Sequence, residues 1–106
     1  MIPSDKKINI NITSTVWTYN TSVKFFTLPY STGVHSYIIT GVVSYAEADL
    51  YSNVMLLVTQ TGTNVKIDIL VGSSVNTYTN DGVDLYVKNM QAQSSIRLYG
   101  VCHILK

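Results

Sequence analysis

The stretch Asn53–Val71, NVMLLVTQTGTNVKIDILV, predicts the fold class of this chain. Its centre, Thr61–Asn64, places a glycine among short polar residues, which is the composition of a tight turn between two strands. After the turn, apolar and charged residues alternate in the order Val65, Lys66, Ile67, Asp68 and Ile69. This period of two is typical of a strand with one buried face and one face in water, so we predict strands at Asn53–Gln60 and Asn64–Val71 on either side of the turn.

The same signals recur along the whole chain, where runs rich in Val, Ile, Thr and Tyr are separated by turn residues at intervals of about ten positions. Short strands at this spacing predict an all-β fold, which we expect to be an antiparallel β-sandwich with jelly-roll-like connections. The best helix candidate, Ala46–Tyr51, is too short for more than one turn. The predicted strands are Lys7–Thr13, Thr15–Tyr19, Val23–Leu28, Val34–Tyr45, Asn53–Gln60, Asn64–Val71, Val75–Thr79, Val83–Lys88 and Ser95–Leu105.

Length and composition restrict the class of protein. The 106 residues predict a single domain over 1–106, with 1–7 as a flexible or linker-like start. Only 12% of residues are charged and the net charge is +1, which argues against a nucleic-acid partner. No apolar run approaches the ~18 residues of a membrane span, so we expect no membrane insertion. The start shows no apolar run of a signal peptide, and one cysteine cannot form an internal disulfide.

Three strands are apolar on both faces: the runs around 37–43, 54–58 and 96–105. A two-sheet sandwich buries only one face of each sheet, so such strands need a second cover. Another copy of the chain would supply it, and we predict a homotrimer; a barrel-like twist that hides these strands is the alternative. The predicted interface residues are Val54, Leu56, Val58, Tyr99, Val101, His103 and Leu105.

The residues of catalytic type do not form a recognisable catalytic pattern. Cys102 and His103 are neighbours in one predicted strand, so their side chains point to opposite faces and cannot act as a nucleophile and its base. Cys102 is expected in the core, where cysteine behaves as a small apolar residue, and His103 at an interface or edge. Glu47 and Asp49 are expected in a solvated loop. We predict no enzyme activity, no metal site and no cofactor.

Tyrosine is the prominent residue type, with eight copies and one tryptophan. Aromatic rings beside polar loops suit sugar binding, because a ring packs on the apolar face of a sugar while amide side chains bond its hydroxyls. Strand tyrosines with half-buried rings are the alternative explanation. The candidate ligand-binding residues are Trp17, Tyr19, Tyr30, Tyr45, Tyr51 and Tyr78, of which the loop residues Tyr30, Tyr51 and Tyr78 are preferred.

Three segments, GVVSY, NVMLLVTQTGTNVKIDI and the ending IRLYGVCHILK, resemble the C-terminal β-sandwich head or tip modules of bacteriophage tail fibres and receptor-binding proteins, over residues 34–106. The resemblance implies a homotrimer in the virion, made in the host cytoplasm, whose partners are a host-surface glycan or protein and other virion proteins.

We therefore predict a non-enzymatic phage binding module that attaches to a host-surface glycan or protein through loop aromatics. One alternative is a structural virion subunit for capsid decoration or tail assembly, with no ligand. Another is a cellular carbohydrate-binding module or lectin. Clustering of Tyr30, Tyr51 and Tyr78 at one exposed end would favour binding, and their dispersal would favour a structural role.

Overall fold

A computed structural model describes residues 6–13, 20–45, 50–73, 76–89 and 96–106. These segments contain eight strands, and the bounds predicted for Lys7–Thr13, Val34–Tyr45 and Asn64–Val71 are confirmed. The predicted strand Thr15–Tyr19 lies outside the described residues. The strands are β1 (Lys7–Thr13), β2 (Ser22–Thr27), β3 (Val34–Tyr45), β4 (Leu50–Thr61), β5 (Asn64–Val71), β6 (Asn76–Asp81), β7 (Asp84–Asn89) and β8 (Ile96–Ile104).

The strands form two antiparallel sheets, which confirms the all-β prediction. The five-stranded sheet has the order β1-β8-β3-β4-β5, and the three-stranded sheet has the order β2-β7-β6. The first and last strands are neighbours, whereas β3, β4 and β5 follow one another as a meander. This strand order does not by itself show the jelly-roll-like connections that we predicted.

The turn predicted at Thr61–Asn64 closes a β-hairpin, since β4 pairs with β5 and the pairing ends at Thr61 and Asn64. The turn begins at Gly62, whose φ of +62° an L side chain rarely adopts. A glycine with positive φ at the first of two central residues fits a type II′ turn, whose twist matches that of the flanking strands. The turn sequence therefore selects the register of the hairpin.

The last two residues of the helix candidate Ala46–Tyr51 belong to β4, and its first four lie outside the described residues. Leu50 pairs with Tyr45 and Tyr51 with Ser44, so these residues extend the hairpin between β3 and β4. Cross-strand hydrogen bonds therefore override the weak helical propensity of this short segment. Within the described segments, no helix has the length and apolar character needed to cross a bilayer.

The core lies between the two sheets and draws on alternate residues of each. From the five-stranded sheet come Tyr37, Ile39, Leu98 and Cys102 among others, and they pack against residues of the smaller sheet. Fully burying an aliphatic side chain contributes about 1.5–3 kcal/mol, so this layer is the main stabilising element. The smaller sheet contributes Phe25, Leu85 and Val87.

The core also contains three of the residues predicted at a subunit interface, which corrects that prediction. Val54, Leu56 and Val58 are buried at 3%, 0% and 0% exposure within the single chain. Their cover is the chain's own second sheet, so they are not available to a partner. Because β4 is apolar on both faces, its pattern did not reveal which face would turn inward.

Candidate functional site

The candidate site lies on the outer face of the five-stranded sheet, which is formed by side chains that point away from the three-stranded sheet. Successive strand residues point to opposite faces, so the neighbours of the core residues in β8, β3 and β4 lie on this outer face. The pairing of these strands arranges them in rows that run across the sheet. Two regions with different chemistry follow one another along the strands.

The middle rows form a region that we call the apolar strip: Ile38, Met55, Leu57, Val71, Val101 and Leu105. Leu105 is 44% exposed and Val71 47%. A depression of about 350 Å³ lies at the edge of the strip, lined by its members Met55 and Val71 together with Thr40 and Asn53 beside it. The strip is thus apolar surface that the chain itself does not cover.

The strip includes or borders the remaining residues predicted at a subunit interface. Val101 and Leu105 are members of it, His103 pairs with Ile38 beside them, and Tyr99 lies at the boundary of the next row. All of them lie on the face opposite Cys102, which is buried. The opposite orientations predicted for Cys102 and His103 are confirmed by this alternation.

The rows beyond the strip form a polar and aromatic region that we call the tyrosine–arginine patch: Asn11, Ser44, Tyr51, Asn53, Arg97 and Tyr99. Ser44 pairs with Tyr51 on one side and with Arg97 on the other, so these three form one row. Val42 likewise pairs with both Asn53 and Tyr99 in the next row. Tyr51 is 75% exposed and Tyr99 is 45% exposed.

Tyr51 and Tyr99 were predicted separately, as a ligand-binding and an interface residue, and Arg97 was not among the predicted site residues. The signal was present in IRLYG, because residues two apart in a strand share a face and Arg97 therefore accompanies Tyr99. No local sequence pattern predicts that Arg97 and Tyr99 lie near Tyr51, because this proximity depends on the pairing of β3 with both β4 and β8.

The backbones of β3 and β8 approach each other closely at Gly41 and Gly100, which are paired across the two strands. A Cβ atom on Gly100 would lie 2.1 Å from the Thr40 carbonyl oxygen, and one on Gly41 would lie 2.3 Å from that of Tyr99. Neither position therefore accepts a side chain unless the backbone shifts. The pair fixes how closely the strands carrying Val42 and Tyr99 approach.

Tyr30 lies at the other end of the sheet and is held by local contacts. Its ring stacks on His35, with a centroid separation of 4.1 Å and an angle of 15°. The His35 ring nitrogens lie 2.9 Å from the Thr32 carbonyl oxygen and 3.1 Å from that of Lys106. The Tyr30 loop and the C-terminal residue are therefore joined through one imidazole.

A buried glutamine anchors the same loop from beneath. Gln60, with 0% exposure, donates from Nε2 to the carbonyl oxygens of Tyr30 at 2.6 Å and Gly62 at 2.8 Å. Its Oε1 accepts a hydrogen bond from the Tyr37 hydroxyl. Tyr30 and Tyr37 are thus part of an internal polar network that positions the loop.

The remaining aromatic candidates do not gather around Tyr30. Tyr78 faces the core and meets Phe25 edge-on at 6.1 Å, which corrects its assignment as a ligand-binding loop residue. Tyr51 is the second residue of β4 and Gln60 lies next to its end, so Tyr51 and the Tyr30 loop are about 30 Å apart at ~3.3 Å per residue. Trp17 and Tyr19 lie outside the described residues, as does the side chain of Tyr45. The preferred loop aromatics are dispersed.

Cys102 lies in the core, as predicted. Burial raises the pKa of its thiol to about 12, so the thiol stays protonated and unreactive at neutral pH. Burial, with a smaller contribution from Cys102, also raises the pKa of Tyr37 to about 12. Among the described residues, no group of three or more His, Cys, Asp or Glu side chains is placed to hold a metal ion.

No protein-family model matches this sequence, and no curated protein is significantly similar to it. Two solved structures do share its fold. One is the tailspike protein gp49 of the Acinetobacter baumannii bacteriophage Fri1, a capsular polysaccharide depolymerase, with a TM-score of 0.58 and 12% identity over 96% of this chain. The other is the tailspike protein of the Acinetobacter phage vB_ApiP_P1, with a TM-score of 0.58 and 13% identity over 91% of this chain.

The likeness concerns a small part of each tailspike, since the chain spans 18% of the first and 21% of the second. At this level of identity it shows a shared fold. The fold is therefore an all-β, two-sheet fold that also occurs within phage tailspikes.

Proposed function

We propose that this chain is a non-enzymatic module of a bacteriophage tail that attaches to a host-surface glycan and assembles as a homotrimer. The observation that carries the proposal is the fold shared with two phage tailspikes over nearly the whole of this chain. One of those tailspikes is a capsular polysaccharide depolymerase, so its biological target is a bacterial surface glycan. The exposed tyrosines of the outer face supply a surface suited to sugars.

The non-enzymatic part of the proposal is supported by the chemistry of the described residues. The lone cysteine is buried and protonated, and both ring nitrogens of His35 face backbone carbonyl oxygens. Asp68 is the acid that the structure describes on the outer face, and it lies 3.9 Å from Lys66, so the described part of this face offers no second carboxylate to flank a glycosidic bond. We therefore assign depolymerisation, where it occurs, to other parts of a tail protein.

The apolar strip supports self-association as the cover for this face. Its residues carry no charge, and contacts between identical subunits are more apolar than the rest of a protein surface. In a trimer, three copies of this face would meet around the threefold axis. Val101, His103 and Leu105 would lie within the contact, with Tyr99 at its boundary. Light scattering at micromolar concentration should then give about three times the 11.7 kDa chain mass, and a monomer would refute the assembly.

Glycan attachment is tested by binding of the purified chain to encapsulated bacteria, to the same bacteria without capsule, and to a panel of capsular polysaccharides. We expect capsule-dependent binding without release of new reducing ends. Tyr51→Ala should weaken binding without changing the melting temperature, because the ring is 75% exposed. Tyr86→Ala, a change on the other sheet, is the matched control.

A structural virion subunit is the second candidate, and the dispersal of Tyr30, Tyr51 and Tyr78 favours it. Under this alternative the outer face would contact only other virion proteins. Absence of binding to every cell type and polysaccharide in the panel would make it the better assignment. A cellular lectin, the third alternative, would bind glycans but would not associate with purified phage tail components.

A further inference from the structure

We infer that the tyrosine–arginine patch binds glycans that contain a carboxylated sugar, such as a uronic acid. The inference rests on the proposed glycan-binding function and adds the location of the site and the chemical class of its ligand. It follows from three properties of the patch: the spacing of its tyrosines, the position of its arginine and the polar groups between them.

The two tyrosines lie on the same face, separated by one strand and one row. Neighbouring strands are ~4.8 Å apart and alternate residues ~6.7 Å apart along a strand, which places the Tyr51 and Tyr99 backbones about 12 Å from each other. Each exposed ring offers an apolar body and a polar hydroxyl. Two rings at this spacing can contact different sugar units of one chain.

Arg97 determines the charge of the preferred ligand. It is the only arginine of the chain, it is exposed, and it shares a row with Ser44 and Tyr51. Among the described residues, the ion pair is between Lys66 and Asp68, so no described carboxylate neutralises Arg97. A guanidinium presents parallel N–H groups that match a carboxylate in a bidentate hydrogen bond. A uronic acid supplies that carboxylate together with the apolar sugar face that the tyrosines need.

Short polar side chains complete the patch. Asn11 of β1 pairs with Tyr99, and Asn53 of β4 pairs with Val42. Both asparagines are exposed. Each amide offers donors and acceptors, which matches the mixed donor and acceptor character of sugar hydroxyls. The Ser44 hydroxyl lies between Tyr51 and Arg97 and adds a further group of the same kind.

Most of the patch stands on β8, β3 and β4, the three central strands of the sheet. Gly41 and Gly100 hold β3 and β8 so close together that an added Cβ atom would strike backbone. Sites built on rigid strands place their groups more accurately than sites on loops, and less conformational entropy is lost on binding. The patch also lies beyond the apolar strip along the strands, so self-association through the strip leaves Tyr51 and Arg97 exposed.

The experiment compares full-length wild type with Arg97→Gln, Arg97→Lys and the control Lys24→Gln, which removes an exposed charge on the other sheet. The probes are the polysaccharides that wild type binds in the panel, each in its native form and after chemical reduction of its carboxylates to alcohols. We expect binding to uronic-acid polysaccharides, and a loss of about 10- to 100-fold after carboxylate reduction, the range of a charged hydrogen bond. Arg97→Gln should show the same loss, Arg97→Lys a smaller one and Lys24→Gln none.

The possible outcomes test this inference and the proposed function separately. Wild type that binds neutral polysaccharides as tightly as their acidic counterparts overturns this inference and leaves the proposed function intact. Equal binding by Arg97→Gln and wild type also overturns it. Binding to no polysaccharide overturns the proposed function as well. Circular dichroism and melting temperature verify that the exposed Arg97 variants fold like wild type.

Discussion

Replacing Tyr37 with phenylalanine tests the internal network that holds the Tyr30 loop. The change removes one hydroxyl group from a fully buried ring and leaves the ring itself in place. That hydroxyl donates to Gln60 Oε1, and Gln60 in turn donates to the carbonyl oxygens of Tyr30 and Gly62. The variant therefore leaves the Gln60 carbonyl oxygen in the core without its donor.

The expected loss of stability follows from the difference between forming a buried hydrogen bond and leaving one of its partners unsatisfied. A typical pair contributes about 0.5–1.5 kcal/mol, whereas leaving one buried partner unsatisfied costs about 1–3 kcal/mol. Gln60 has no access to solvent that could replace the donor. We expect Tyr37→Phe to lower the free energy of unfolding by about 1–3 kcal/mol, with each kcal/mol shifting the melting temperature of a domain near this size by about 4–8 °C.

Chemical denaturation followed by tryptophan fluorescence or circular dichroism measures this change. The matched control is Tyr51→Phe, which removes a hydroxyl from a ring that is 75% exposed and should cost less than about 0.5 kcal/mol. Equal stability of Tyr37→Phe and wild type would refute the network. A Tyr37→Phe and Gln60→Leu double-mutant cycle adds a direct measure, and a coupling energy near zero would contradict the reasoning equally.

Three further predictions concern the core, the central strands and the outer face. Burial raises the pKa of the Cys102 thiol to about 12 in the folded state, whereas an unfolded thiol ionises near pH ~8.5. Unfolding therefore releases a proton above pH ~8.5, and the free energy of unfolding should fall with rising pH by up to ~1.4 kcal/mol per pH unit. Cys102→Ala should abolish this slope between pH ~8.5 and ~10, and native Cys102 should react with thiol reagents only after unfolding; rapid native labelling would contradict its burial. Gly100→Ala should destabilise the fold by more than the ~1 kcal/mol of an ordinary substitution, because the new Cβ would lie 2.1 Å from the Thr40 oxygen, and an unchanged denaturation midpoint would show that the strands separate easily. Val101→Asp should convert the proposed trimer to monomers in light scattering, since an unpaired charge at a buried interface costs several kcal/mol, whereas Thr79→Asp on the other sheet should not; a trimer that survives Val101→Asp would exclude the apolar strip as the contact.

Local chemistry was sufficient to predict the strands. The bounds of β1, β3 and β5 agree with the sequence prediction because period-two alternation and turn glycines act over a few residues. The burial of Cys102 followed from the same alternation, since Leu98 and Ile104 share its face. Leu50 and Tyr51, the end of the helix candidate Ala46–Tyr51, lie in β4 because cross-strand pairing is not visible in local propensity.

Only the tertiary structure decided which face of a two-faced strand turns inward. In β4, Leu56 and Leu57 are equally apolar, yet Leu56 is fully buried and Leu57 lies on the outer face, because the second sheet covers one side only. Likewise, Tyr51 and Arg97 are far apart in sequence and meet in one row because Ser44 pairs with both. The alternation of a strand determines which of its own residues share a face, whereas sheet order and register determine which residues of other strands join them, and these depend on contacts made across the whole chain.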